Sequence, residues 1–154
     1  MPLTNLTALE EMHNHADENN IVVRTSYYES PHKGYCFLLF DGAVVTLNSF
    51  YIQSSADELC ILAEEIGHVE TGTVLPIGEY ICPQYKRWVK RKNEILALRC
   101  AIQRLLPPSK IQAAISKGNR GAHGIAKFCG VTEEFAESAL RYYERKQITF
   151  CWRA

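Results

Sequence analysis

The stretch Ala56–Gly72, ADELCILAEEIGHVETG, decides how the chain is read. Leu59, Leu62, Ala63 and Ile66 recur at helical spacing and supply a core-facing stripe. Ser55 and Glu58 have the S-x-x-E spacing of a capping box, and Gly72 is the expected stop, so the spacing predicts a helix over 55–72. Into its apolar middle the sequence sets Glu64 and Glu65, with His68 one turn on. Residues four apart project about 40° from each other, one above the other, so Glu64 and His68 can share one metal ion. Glu65, three before His68, lies within reach of a water on that ion. The pattern is H-E-x-x-H with its first histidine replaced by glutamate, and carboxylate oxygen and imidazole nitrogen are both zinc donors.

A catalytic zinc takes three protein ligands and keeps one position open. The third is expected at Glu94, in KRKNEILALRCAIQRLLPP (Lys90–Pro108), where it precedes an apolar run. Leu98, Ala101 and Leu105 continue its stripe, which places Glu94 at the end of a buried face.

ILAEEIGHVETG followed by NEILALRCAIQRLLPP resembles the ImmA/IrrE family of metallopeptidases, above all the versions carried by phages and mobile elements of Gram-positive bacteria. The resemblance spans about residues 15–146, and GIAKFCGVTEEFAESALRYYERK is similar to the C-terminal helices of such proteins. It implies a zincin-like α+β fold, with Glu64, His68 and Glu94 as zinc ligands and Glu65 as the catalytic glutamate. It further implies a protein substrate, a helix-turn-helix repressor whose cleavage relieves repression of a mobile element. The family pattern has histidine where this chain has Glu64. A carboxylate there adds a negative charge to the ligand set, which raises the pKa of bound water above the usual value of about 7 and favours manganese or iron(II) beside zinc. Slower hydrolysis is expected, and the alternative is a weak or inactive relative that acts as a protein-binding regulator. For the oxyanion, His123 in a glycine-rich loop and Tyr142 or Tyr143 are the candidates.

Composition agrees with one α+β domain over residues 1–154. The chain is 47% hydrophobic and 22% charged with no net charge, so bulk electrostatics give nucleic-acid or lipid-surface binding no support. The opening MPLTNLTALEEMHNHADENN lacks the charge and apolar pattern of a signal peptide, and no stretch nears the roughly 18 apolar residues of a membrane span. A soluble, cytoplasmic protein without a membrane partner is expected. Six cysteines (Cys36, Cys60, Cys82, Cys100, Cys129, Cys151) contain no C-x-x-C pair and read as mostly buried thiols.

Residues 1–50 read as a helix over 5–18 and a small, mostly antiparallel sheet. Its strands lie in NIVVRTSYY, YCFLLFDG and AVVTLNS, with Asp41-Gly42 as a hairpin signal. TGTVLPIGEYICPQ reads as an irregular connection. Residues 85–146 form the helical part: a long helix over 85–105 stopped by Pro107-Pro108, a short one over 109–116, a loop at KGNRGAHG, then 122–129 and 132–146 joined at Gly130 with Thr132 as N-cap. His13 and His15 in HNH read as a surface cluster, and KRWVKRK (Lys86–Lys92) as a solvated helix face. The last two helices have helix-turn-helix spacing, but the second begins Thr132-Glu133-Glu134 and adds Glu137. That acidic face opposes phosphate, so no direct nucleic-acid contact is expected.

Overall fold

The structure, a computed structural model, describes residues 6–74 and 83–152. The described residues form an α+β arrangement of six α-helices and a three-stranded mixed sheet: α1 (Ala8–Glu18), β1 (Ile21–Ser26), β2 (Gly34–Leu38), β3 (Ala43–Asn48), α2 (Ser55–Glu70), α3 (Pro83–Leu105), α4 (Pro108–Ser116), α5 (Gly121–Cys129) and α6 (Glu133–Arg145). A short 3-10 turn, Ser49–Tyr51, follows β3. The central part of the expected connection after Gly72 lies outside the described residues, as does Cys82. Among the described residues no helix is long and apolar enough to cross a membrane.

The sheet corrects the expectation of a mostly antiparallel one. Its order is β1-β3-β2, with β3 antiparallel to β2 but parallel to β1. The cause is burial. β3 is the most apolar strand, with Ala43, Val45 and Leu47 fully buried, so it takes the centre. The segment 27–33 carries the chain past that central place to the far edge before the hairpin at Asp41-Gly42 turns it back.

Helix α2 lies against the sheet with Leu59, Leu62, Ala63 and Ile66 buried, the stripe its periodicity required. Its cap sits one residue earlier than expected. Ser54 is extended, and its Oγ accepts from Asp57 N (3.2 Å) and donates to Asp57 Oδ2 (2.7 Å). Glu58 instead meets His13 Nε2 at 3.2 Å, while His15 Nε2 meets Glu70 at 2.6 Å. The two histidines therefore tie α1 to α2 rather than forming a free surface cluster. At the other end Gly72 adopts φ +64°, and Gly72 N and Thr73 N donate to Val69 O (3.2 Å) and His68 O (3.0 Å). This is a Schellman stop, and its left-handed residue favours glycine.

Helix α3 crosses α2 at very short range. A Cβ on Gly67 would stand 2.5 Å from the carbonyl oxygen of Ala97, so no side chain fits there. Ala97, Ala101, Ile102 and Leu105 bury the facing side of α3, and α4–α6 close the core with Ile111, Ile115, Ile125, Phe135 and Tyr143. Cys60 and Cys129 are buried, Cys36 and Cys100 half-buried, and Cys151 is exposed.

Replacing Gly67 by alanine improves helix propensity by about 1 kcal/mol but forces two backbones apart, and overpacking of this kind costs about 1–3 kcal/mol. Gly67→Ala is therefore expected to lower the thermal midpoint by several degrees in a circular-dichroism melt; an unchanged or higher midpoint would contradict the crossing.

Candidate metal centre

A cleft of about 800 Å³ opens between α2, the β1–β2 segment with β2, the first half of α3 and the start of α6. Glu64, Glu65, His68 and Glu94 all line it. The helical spacing read from the sequence places the first three on one side, and the α2–α3 crossing supplies the fourth. Ala97 lies one turn beyond Glu94, and Gly67 immediately precedes His68, so the contact at Gly67 brings those two side chains together.

His68 Nε2 stands 3.6 Å from Glu94 Oε2. That is too long for a direct hydrogen bond. It is the separation of an ion pair when the ring is protonated, and it lies close to the roughly 3.4 Å between two donors each about 2.1 Å from a tetrahedral ion. The other ring nitrogen, Nδ1, is 3.0 Å from Thr73 Oγ1. Glu94 is more exposed than its apolar neighbours predicted, with over half of its side chain open to solvent on the cleft.

The carboxylates carry the electrostatic signature of the site. Burial pushes the Glu64 carboxyl up to about 7 against the pull of Lys33, with Glu94 adding to the rise. Burial likewise raises Glu65 to about 7, opposed by His68 and reinforced by Glu64 and Glu94. For His68, burial disfavours the charge, but Glu94, Glu65 and Glu64 outweigh it and hold its pKa above the ordinary value. Glu94 is held below the usual carboxylate range, His68 being the main cause. Among the described residues no lysine or arginine forms an ion pair with Glu64, Glu65 or Glu94. Three carboxylates and an imidazole thus share one cleft, whose lining also includes Lys33 and Lys90. Perturbed carboxylates gathered in a cleft make it a candidate functional site.

This donor set fits a divalent cation in its chemistry: an imidazole nitrogen and carboxylate oxygens. The donors are not drawn into a closed sphere, however. Among the described residues no three His, Cys, Asp or Glu side chains are grouped closely enough to hold an ion. His68 and Glu94 face each other, and Glu64 lines the same cleft.

The structure separates the other two candidates from this cluster. His123 is not in a loop but in the first turn of α5, where its ring is largely exposed and pairs with Glu133 at 3.1 Å. Tyr142 accepts a hydrogen bond from Gln103 Nε2 (3.2 Å), and the neighbouring Tyr143 hydroxyl is buried and donates to Leu106 O (2.9 Å). None of the three lines the cleft. The loop reading failed because the glycines of GNRGAHG accommodate a helix start as readily as a turn, Gly121 entering with φ +68°.

Residues that shape the cleft without a motif of their own were missed. Asn48, fully buried, donates through Nδ2 to Tyr28 O (3.0 Å) and His32 O (3.2 Å), and the Tyr51 hydroxyl donates to Ser30 O (3.1 Å). Together they pin the segment that brings His32 and Lys33 to the rim. Gly34 is the other. A Cβ there would come within 2.8 Å of the Glu65 side chain, so glycine makes the room that Glu65 occupies. A buried asparagine in an apolar strand was the one available signal. No family model and no curated protein matches the chain.

Protons and a metal compete for these donors. Because Glu64 and Glu65 titrate near 7, zinc or manganese affinity should rise as pH goes from about 6 to 8 and level off above, with protons released on binding. Affinity that is flat across that window, measured by chelator competition, would speak against carboxylate ligation in the cleft.

Proposed function

We propose that the chain is a metal-dependent endopeptidase of zincin-like, ImmA/IrrE type, acting on a protein substrate. The observation that carries this reading is the 3.6 Å pair of His68 Nε2 and Glu94 Oε2, with half-buried Glu64 and Glu65 lining the same cleft. The resemblance of ILAEEIGHVETG and NEILALRCAIQRLLPP to that family supports it, since the residues it picks out are the ones that share the cleft. Glu64, His68 and Glu94 are the residues that would hold the ion. A zinc, manganese or iron(II) ion so held supplies Lewis acidity toward a peptide carbonyl.

The chain's own part is proton transfer and positioning. Glu65 takes a proton from the attacking water and hands it to the leaving amine, a role suited to a carboxyl that titrates near 7. Gly34 on the opposite wall leaves the room that its side chain occupies. His32, whose charge reaches Glu94, and Lys33, whose charge reaches Glu64, take over from His123 and Tyr142 as donors for the developing oxyanion. A mobile-element repressor, cut in or near a linker, is the proposed substrate, and the cytoplasm is the proposed location.

A second reading is a non-catalytic relative that uses the cleft to bind a regulator, and the open donor set favours it. Elemental mass spectrometry of the purified protein, with Glu64→Ala, His68→Ala and Glu94→Ala, separates the two. The peptidase reading expects near-stoichiometric metal in the parent and its loss in each variant. Glu65→Gln should keep the metal and lose about 100-fold or more of any hydrolysis. No metal after incubation with zinc and manganese would leave the binding protein. Under the peptidase reading, Glu64→His should hold zinc more tightly than the parent.

A further inference from the structure

The two threonines that follow the metal-binding helix form a directed chain of hydrogen bonds. His68 Nδ1 is 3.0 Å from Thr73 Oγ1, Thr73 Oγ1 is 2.8 Å from Thr71 Oγ1, and Thr71 Oγ1 is 2.6 Å from the carbonyl oxygen of Gly67. Three contacts have to be bridged by three hydrogens. The last partner is a carbonyl, which only accepts, so the Thr71 hydrogen must point to Gly67. Thr71 then offers only lone pairs to Thr73, so the Thr73 hydrogen points to Thr71 at 2.8 Å in preference to its longer contact with His68 O at 3.4 Å. Thr73 in turn offers only lone pairs to the ring, and the remaining hydrogen must sit on His68 Nδ1. Any other arrangement leaves two oxygens, or an oxygen and a nitrogen, facing each other at 2.6–3.0 Å with nothing between them.

We infer that Thr73, backed by Thr71, is a positioning residue that fixes the neutral imidazole of His68 as its Nδ1–H tautomer and presents the Nε2 lone pair to Glu94 and the cleft. The inference rests on the proposed role of His68 as a ligand, because a metal takes the unprotonated nitrogen and the opposite N–H needs an acceptor. The chain is well anchored. The Schellman stop at Gly72 brings Thr73 back over the last helical turn, and Asn93 Nδ2 donates to Thr73 O at 3.1 Å. Asn93 directly precedes Glu94, so the residue that steadies the relay and the residue that faces His68 Nε2 come from the same turn of α3. One short segment of α3 thus braces both sides of the ring.

The test is the long-range proton–nitrogen spectrum of His68 in metal-free protein, in buffer alkaline enough to keep the ring neutral, with His68→Ala to identify its signals. An Nδ1–H ring is expected in the parent and in Thr73→Ser, and the preference should be lost in Thr73→Val, which keeps the shape but not the hydroxyl. Zinc affinity, read by chelator competition, should fall about 10-fold or more in Thr73→Val and return in Thr73→Ser. An Nε2–H ring in the parent, or an unchanged Nδ1–H ring in Thr73→Val, overturns the inference. The parent spectrum decides the first point without any variant having to fold. If the tautomer behaves as expected while the parent takes up no zinc, the relay stands and the metal reading falls.

Discussion

The candidate site depends on how closely α2 and α3 cross at Gly67. With the Ala97 carbonyl 2.5 Å from where a Cβ would stand, the two backbones meet without an intervening side chain. Helices usually keep 8–10 Å between their axes because side chains hold them apart, and glycine removes that spacer. The meeting of the two helices' side chains follows from this contact. It places Glu94 against His68, brings Asn93 to Thr73, and buries Ala97 and Ala101 behind the pair.

The electrostatics then run against stability. Gathering Glu64, Glu65 and Glu94 around a half-buried cleft places like charges in a poorly solvated space, and two of them respond by holding their protons to about 7. An apolar lining of the same shape would avoid that strain. Elsewhere the chain pairs its charges in the ordinary way: Arg104 reaches both oxygens of Glu70 at 2.6 Å, and His15 joins the same carboxylate.

The walls are set by backbone economy rather than by charge. A single buried asparagine, Asn48, satisfies two carbonyls of the segment before β2 and accepts from Phe50 N, so one side chain organises the whole rim opposite α2. A buried polar group is tolerated when all its bonds are made, and it then fixes one geometry. Glu65 reaches its place because Gly34 on the facing strand has no side chain to meet it. The cleft is therefore shaped by small residues on both walls as much as by the acidic ones that line it.

The helices were legible because their signals are local. The stripe Leu59, Leu62, Ala63 and Ile66, the stop at Gly72 and the break at Pro107-Pro108 lie within a few residues of what they govern. The same locality put Glu64, Glu65 and His68 on one side of α2. The parallel pairing of β1 with β3, the departure of His123 and Tyr142 from the site, and the reason for glycine at 34 and 67 were not legible, because each depends on residues distant in sequence. The sequence by itself determined the helical periods, their ends and the donor residues. Only the tertiary structure decided which donors meet, since a 3.6 Å approach between His68 and Glu94 depends on two helices crossing, and no run of neighbouring residues encodes that distance.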